Sequence, residues 1–427
     1  MILYEGQLLP DEELDKVLDS LWNCCLHTVM HREVIWERVI TACNGVAEKL
    51  RNGVYDAIVR QFLEKGAVTS NQVEEVTMLF NEESLRLKYE TELGRYRTEI
   101  EGDKNGRRVK RIEPLGILFH IAAGNAQGLP FYSVLEGLFA GNVNILKLPS
   151  LDDGISIMLL HEMIKEEPSL ASYVCVLDVP STNLSVMKRI ADMADGIVVW
   201  GGDEAIRAIR SYAEPNTHII SWGHKLSFAY ITKEVLSDEN MKMELRQLAE
   251  HMCETKQTLC SSCQGIFVDT DERKLLEEVG EMYFCLLKEV SRGYKPESIG
   301  IRGKNSIALY NAELENQNGE KRIWKENGVS VTVSNDSELE LSYMFRNCWI
   351  KPLPRGKVVE CLKAKKGYLQ TAGLLCKEEE RSKLTEELIK AGVTRITRIG
   401  GMSASVAGDA HDGEYPLRRY CKIVEIE

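Results

Sequence analysis

The sequence predicts an α/β fold of two or three domains, and three observations carry that reading. The chain has 427 residues, more than one ordinary domain of ~100–200 residues holds. After Pro114 the β-rich runs GILFHIA, NVNILKL, YVCVLDV, GIVVW and THIISW alternate with helical stretches around 128–140, 151–166, 183–194 and 203–213, the pattern of parallel strands joined by crossover helices. A second alternation of the same kind starts near Ser227.

From Asp11 to about Gly94 the spacing is helical, with Leu14, Val17, Leu18 and Leu21 on one face, and residues 1–92 read as a helical lead-in. RYRTEI and RRVKRI flank the turn signal GDKNG and predict an exposed hairpin. In a parallel sheet ligands bind beyond the carboxyl ends of the strands, so the residues just after each run are candidates for a site. The second alternation reads as a helix through LRQLAEHMCETKQT, the strand GIFVD, a long helix to about Arg292, then GYLQTAGLL, a helix over 380–391 and VTRITRIG. The tail YCKIVEIE alternates like a strand and is expected to pair with the early hairpin. The boundaries that follow are 1–92 with 112–226, then 227–410, and a β bridge formed by 93–111 with 411–427.

Hydrophobic residues make up 44% and charged residues 28% of the chain, as in globular proteins. A formal net charge of -12 argues against a nucleic-acid surface, which needs Lys and Arg to displace counterions. The basic run Lys104 to Arg111 reads as a solvated hairpin end. No signal pattern precedes DEELDKVLDS and no run approaches the ~20 apolar residues of a membrane span, so a cytoplasmic protein is expected. The 12 cysteines sit mostly in apolar contexts such as LWNCCL, YVCVLDV and MYFCLLKEV, which suggests buried reduced thiols.

The stretch QTLCSSCQG places Cys260 and Cys263 three positions apart. Zinc would need a second ligand pair, and the other cluster, Cys24, Cys25, His27 and His31, is far off on a helical pattern. No metal site is expected. A redox pair of the thioredoxin type opens a helix after a strand, whereas this one follows a helix and enters a strand. The third use is a nucleophile, which needs one thiolate and donors for the oxyanion formed on attack at a carbonyl. Cys260 in a serine-rich turn, with Gln264 adding a side-chain amide, suits that use, though a buried cysteine before a strand also accounts for the residue.

The context is EPLGILFHIAAGNAQGLPFYSVLEGLFAGNVNILKLPS, residues 113–150. Its order of Glu113-Pro114-Leu115-Gly116, Asn125, Ala140-Gly141-Asn142 and Lys147-Leu148-Pro149-Ser150 resembles the aldehyde dehydrogenase superfamily. VVWGGDEAIRAI, IISWGHKLSFAYI, Cys260 and the closing HDGEYPLRRYCKIVEIE follow in the superfamily's register. CSSCQ, RITRIGGMS and HDG together look like the long-chain acyl-CoA reductase family, the fatty acid reductase of bacterial luminescence.

The resemblance implies an aldehyde dehydrogenase-like fold with a cofactor domain, a catalytic domain and a β oligomerisation bridge. It makes Cys260 the nucleophile and Asn125 the oxyanion donor. Lys147, Ser150, Gly201, Gly202, His120 and Ala123 become the cofactor-binding positions. His224 and His411 are candidate accessory proton donors, and each reads equally well as a structural hydrogen-bonder. Two departures refine this. Ser221-Trp222-Gly223-His224-Lys225-Leu226 stands where acid-forming members carry a general-base Glu; without that base, exchange with a thiol is favoured over hydrolysis. Ser150 replaces the Glu that binds a ribose 2′-OH and leaves room for a 2′-phosphate. The nicotinamide-ribose Glu is absent from CWIKPLP. The expected activity is NADPH-dependent reduction of a fatty acyl-CoA to the aldehyde with release of CoA. Acid-forming aldehyde oxidation, acyl-phosphate reduction, and a thiol redox or metal-binding role for Cys260 and Cys263 stand as alternatives. The bridge predicts a homodimer or homotetramer, and the family raises an acyl-activating protein partner.

Overall fold

Ile2 and Leu3 are buried and begin a strand where a helical lead-in was expected. Strands β1 (Ile2–Tyr4) and β2 (Gln7–Leu9) form a hairpin through Glu5 and Gly6, both at positive φ, the geometry of a two-residue hairpin turn. The lead-in boundary 1–92 is corrected accordingly: helices Leu14–Met30, Trp36–Arg51, Asp56–Lys65 and Glu82–Tyr89 follow a β hairpin. The structure, a computed structural model, describes the chain except residues 66–72, 75–76, 79, 95–97, 104–105, 123–127, 151, 237–239, 317, 405–406 and 427. It divides into two compact units, Met1–Gly223 with Ser405–Glu427, and His224–Ala404.

In the first unit, β3 (Thr98–Asp103) and β4 (Gly106–Pro114) form the predicted hairpin. The runs beyond Pro114 become β5 (Ile117–Ile121), β6 (Val143–Lys147), β7 (Val174–Leu177), β8 (Gly196–Trp200) and β9 (His218–Trp222). Among the described residues these join the N-terminal hairpin in a seven-stranded sheet of order β2-β1-β7-β6-β5-β8-β9, parallel from β7 to β9. β6, β7 and β8 are buried at every position, as expected of parallel strands covered on both faces.

Several motif residues turn out to hold this sheet together. Asp195 Oδ2 accepts from Ile117 N at 2.8 Å, and a Cβ on Gly116 would stand 2.1 Å from that oxygen. Gly141 ends the helix Leu129–Ala140 at φ 88°, the left-handed cap that favours glycine. Asn142 then accepts from Gly116 N at 2.9 Å and donates to Tyr420 O at 3.1 Å. Beneath them Lys88 pairs with Glu92 at 2.5 Å and Glu136 at 3.0 Å, and Tyr420 Oη donates to Glu136 at 3.2 Å. All four side chains are buried, and losing one member would strand an uncompensated charge.

The second unit is built on β10 (Leu226–Ile231), β11 (Cys263–Val268), β12 (Arg322–Glu326), β13 (Val329–Val333), β14 (Asn347–Pro352), β15 (Leu369–Leu375) and β16 (Arg395–Arg398). Among the described residues their order is β12-β13-β14-β11-β10-β15-β16, parallel apart from the β12–β13 pair. Helices Met241–Thr255, Arg273–Ser291 and Glu378–Ala391 fall where the pattern predicted them. Within the first unit, β17 (Cys421–Ile426) pairs antiparallel with β4 to complete a β17-β4-β3 sheet, the pairing expected of the C-terminal tail.

Candidate functional site

Cys260 lies at the corner of a tight turn between a helix and a strand. Helix Met241–Thr255 stops because Lys256 and Gln257 adopt φ of 51° and 60°, a left-handed reversal that non-glycine residues seldom make. The chain then closes a turn in which Ser262 N donates to Leu259 O at 3.0 Å, and Leu259 N donates back to Ser262 Oγ at 3.0 Å. Cys260 and Ser261 are its central residues. Cys260 is half-buried and sits ahead of β11, at the amino end of that strand. The signal used for the first sheet, residues just after each strand, does not find it.

A polar frame surrounds this turn. Gln257, buried, donates through Nε2 to Cys263 O at 3.1 Å, Asn347 O at 3.0 Å and Ser342 Oγ at 3.1 Å, and its Oε1 accepts from Arg346 N at 2.9 Å. Gln264 donates to Gln257 O at 3.0 Å and Ser262 O at 3.3 Å, while its Oε1 accepts from Ser342 Oγ at 2.9 Å. Both atoms of the Gln264 amide are thus engaged within the frame. Ser227 Oγ donates to Cys260 O at 2.7 Å. Ser403, from RITRIGGMS, lies 3.0 Å from Ser261 Oγ, so two of the motifs meet beside Cys260. Gln257 was not singled out in the sequence; its signal is an amide-bearing side chain in the short link between a helix and a cysteine turn.

Cys263 differs sharply from its neighbour. It is fully buried, its Sγ donates to Gly265 O at 3.2 Å, and burial pushes its thiol up to about 12. His251 Nε2 accepts from Cys263 N at 3.3 Å, which leaves the ring proton on Nδ1; burial lowers this histidine to about 4. Trp349 covers Gly265 so closely that a Cβ there would stand 2.0 Å from the indole. His224, exposed, has its ring 6.5 Å from that of Tyr368. No cluster of three or more metal-ligating side chains forms among the described residues.

The first unit holds the other candidates. Asn125 and Ala123 lie outside the described residues. Lys147 ends β6, and burial lowers its pKa against the opposing pull of Asp178. Ser150 is exposed. The nearby Asp152 is committed to the helix Ile155–Glu166, accepting from Ser156 N at 3.0 Å and Ser156 Oγ at 2.5 Å. Gly202 caps helix Asp203–Tyr212 without a side-chain cap, and nothing lies within 4 Å of where its Cβ would be. An open helix N-terminus of this kind suits a pyrophosphate, although Asp203 and Glu204 also occupy the first turn. Gly201 donates to Trp222 O at 3.2 Å.

His120 is placed in the core. It is fully buried, with Nδ1 2.7 Å from Ser133 Oγ and Nε2 3.0 Å from Asn144 Oδ1. Asn144 donates its amide hydrogens to Asn142 O and Tyr173 O, so Oδ1 accepts and His120 carries its proton on Nε2. Trp200 Nε1 donates to Ser133 Oγ at 2.9 Å. With both nitrogens engaged, His120 supports the sheet and offers no polar atom to a ligand. His411 begins the HDGE turn, exchanging backbone hydrogen bonds with Glu414, and its ring centroid lies 5.3 Å from Trp200 and 5.0 Å from Trp222. Arg419 stacks on Trp222 at 4.5 Å.

Comparison with known proteins adds to this geometry. A family model described as acyl-CoA reductase (LuxC) matches residues 33–423. The long-chain acyl-protein thioester reductase of Aliivibrio fischeri is 24% identical over 325 residues, 74% of this chain and 65% of the relative. That of Vibrio harveyi is 23% identical over 350 residues, 79% of this chain and 70% of the relative. The chain thus spans about two-thirds of the length of such relatives. Among solved structures, a benzaldehyde dehydrogenase from Corynebacterium glutamicum matches with a TM-score of 0.70 at 13% identity, covering 98% of this chain and 91% of that one. A glyceraldehyde-3-phosphate dehydrogenase from Methanocaldococcus jannaschii, complexed with NADP, matches with a TM-score of 0.70 at 11% identity, covering 98% and 95%. The fold is that of the aldehyde dehydrogenases, and the family match spans most of the chain: this protein belongs to the acyl-CoA reductase (LuxC) family.

Proposed function

We propose that the protein reduces a long-chain acyl thioester to the aldehyde through an acyl group carried on Cys260. The observation that carries this reading is the hydrogen-bonded turn that holds Cys260 half-exposed while Cys263 is fully buried. One thiol is available for attack and the other is not. A disulfide relay needs two reachable sulfurs, so the burial of Cys263 speaks against the redox alternative.

In the proposed reaction the Cys260 thiolate attacks the thioester carbonyl, the bond to the donor sulfur breaks, and the donor leaves as a thiol after taking up a proton. The acyl group stays bonded to Cys260. A nicotinamide dinucleotide, which Lys147, Ser150 and the helix end at Gly202 would hold, would supply the hydride for reduction of that acyl group. The thiohemiacetal on Cys260 then breaks its carbon–sulfur bond to release aldehyde and the free cysteine. The chain's part is to hold Cys260 at the turn through Gln257, Gln264 and Ser227. Asn125 is proposed to stabilise the oxyanion, and His224 and His411 to serve in proton transfer.

The donor set of the first unit fits a dinucleotide: a cation at Lys147, a hydroxyl at Ser150 and the open helix end at Gly202. We infer NADPH over NADH because Ser150 supplies a neutral hydrogen-bonding group and the neighbouring Asp152 carboxylate is already spent on Ser156. CoA is the proposed thiol donor, in line with the family description, while the relatives are named for acyl-protein thioesters. Two experiments separate these points. NADPH oxidation is followed with acyl-CoA and with an acylated carrier protein as substrates. Intact mass spectrometry without NADPH reports the acyl group on the protein. Acylation lost in Cys260→Ala and retained in Cys263→Ala is the expected result; turnover by Cys260→Ala would overturn the assignment.

A further inference from the structure

The unit that carries Cys260 also contains a cavity of about 250 Å³ that the proposed reaction leaves unused. Its walls are the first turns of helix Ile299–Glu315, the β12–β13 turn and the segment 345–347. Two guanidinium groups line it. Arg346 is only 7% exposed; its Nη2 donates to Lys295 O at 2.6 Å and lies 3.4 Å from Glu297. Among the described residues no acceptor meets its buried Nε. A buried charged donor left unmet is costly, and such exceptions in a native fold call for an explanation.

Arg302, also in the wall, is exposed and makes no ion pair among the described residues. The remaining charges of the wall already have partners. Lys325 pairs with Glu313 at 2.5 Å, Glu326 with Lys288 at 3.1 Å, and Glu297 with Arg346 and, at 3.9 Å, with Lys256. Arg346 is itself neutralised by Glu297, so what remains in the wall is the Arg302 guanidinium and the Arg346 Nε–H, both of them donors. Ile301, Leu309, Val329 and Phe345 supply an apolar lining.

The same wall is under backbone strain. Met344, Phe345 and Arg346 have φ of 55°, 50° and 71°, the left-handed region that residues with a side chain seldom adopt. The turn is held by Asn347, whose Nδ2 donates to Met344 O at 2.6 Å and Phe345 O at 3.1 Å. Strain of this kind gathers at ligand clamps and switch segments. It is also wired to the cysteine turn: Phe345 N donates to Lys256 O at 3.1 Å, and Arg346 N to Gln257 Oε1 at 2.9 Å. Two left-handed segments, one lining the cavity and one launching the Cys260 turn, thus share two hydrogen bonds.

We propose that this cavity binds a small organic anion, a carboxylate with an alkyl body, its head on Arg346 and Arg302 and its body on Ile301, Leu309 and Phe345. Occupancy bears on the turn that presents Cys260. Guanidinium groups recognise carboxylate and phosphate alike; the apolar lining selects the alkyl carboxylate. The site stands independently of the reaction proposed above.

The test titrates the full chain, free of acyl substrate, with octanoate and with inorganic phosphate, following heat of binding and the alkylation rate of Cys260 by iodoacetamide. Saturable octanoate binding, weaker binding of phosphate, and an alkylation rate that changes at saturation are expected. Arg302→Ala, a change at an exposed residue with no ion pair among the described residues, is expected to keep the wild-type melting temperature and to weaken octanoate by on the order of tenfold, the loss of one charged hydrogen-bond partner. Absence of saturable binding, equal binding by Arg302→Ala, or preference for phosphate would overturn the site. Binding that leaves the Cys260 alkylation rate unchanged would overturn the coupling.

Discussion

Gln257 reaches across its own turn to Cys263, its Nε2 donating to the Cys263 carbonyl at 3.1 Å, so the residues on either side of Cys260 are tied directly to one another. The same amide engages Asn347 O, Ser342 Oγ and Arg346 N. Gln257→Ala removes all of these partners and leaves buried carbonyls unmet, at ~1 kcal/mol or more for each. Urea unfolding is expected to show a loss of about 2–4 kcal/mol, accompanied by a fall in acylation rate. Unchanged acylation in the variant would show that the frame does not set the position of Cys260.

Cys260 and Cys263 are expected to part company in alkylation. At pH 8 a thiol pushed up to about 12 by burial is almost wholly protonated as well as sealed from reagent. Peptide mapping after brief treatment with iodoacetamide should find Cys260 modified and Cys263 untouched. Cys263→Ala should keep most of the activity. Equal loss in the two single variants would revive the paired-thiol reading.

Gly265 sits under Trp349 with no room for a methyl group, a Cβ falling 2.0 Å from the indole. Both residues lie in buried neighbouring strands that pair Gly265 with Trp349. Gly265→Ala therefore forces the ring or the strand aside, a change of the overpacking kind that costs about 3 kcal/mol. Thermal unfolding should register it, and a smaller side chain at 349 should recover part of the loss; a wild-type melting temperature in Gly265→Ala would contradict the close contact.

Cofactor preference should respond to Ser150. It is exposed, so Ser150→Glu is accommodated without repacking, and a carboxylate there repels a 2′-phosphate while accepting from a 2′-OH. The expected result is a raised KM for NADPH and a lowered KM for NADH. A preference that does not move would place the 2′-phosphate away from Ser150.

How much of this was legible in the sequence depended on what each residue does. The parallel strands were, because Val174 to Leu177 and Gly196 to Trp200 are short apolar runs that only a doubly covered sheet explains. The turn that holds Cys260 marked it only as a candidate, which the motifs of residues 113–150 singled out by resemblance. The N-terminal hairpin was missed, since β1 and β2 are three residues each, too short to show a period. His120 was assigned to a ligand although it closes a core network with Ser133 and Asn144; a lone histidine at a strand end carries no mark of which role it has. Gln257 and Gln264 act through partners 78–90 residues away in the chain, such as Ser342 and Asn347, and long-range pairing of that kind leaves no local pattern.

Acid sensitivity should trace in part to His251. Burial lowers it from 6.5 to about 4, so between those values the unfolded chain binds a proton that the folded chain refuses. The stability this neutral histidine allows is fully present above pH 6.5, declines as pH falls through that value, and the decline is complete only below about 4. At pH 5 the deficit is about 2 kcal/mol for this one group. His251→Gln keeps an acceptor for Cys263 N–H, which His251 Nε2 now serves at 3.3 Å, and carries no proton to gain. Urea unfolding at pH 7.5 and pH 5.0 should therefore show the variant losing about 2 kcal/mol less than the wild type over that interval. An identical loss in the two proteins would mean that His251 already takes up its proton in the folded state and that Cys263 N–H is held by another acceptor.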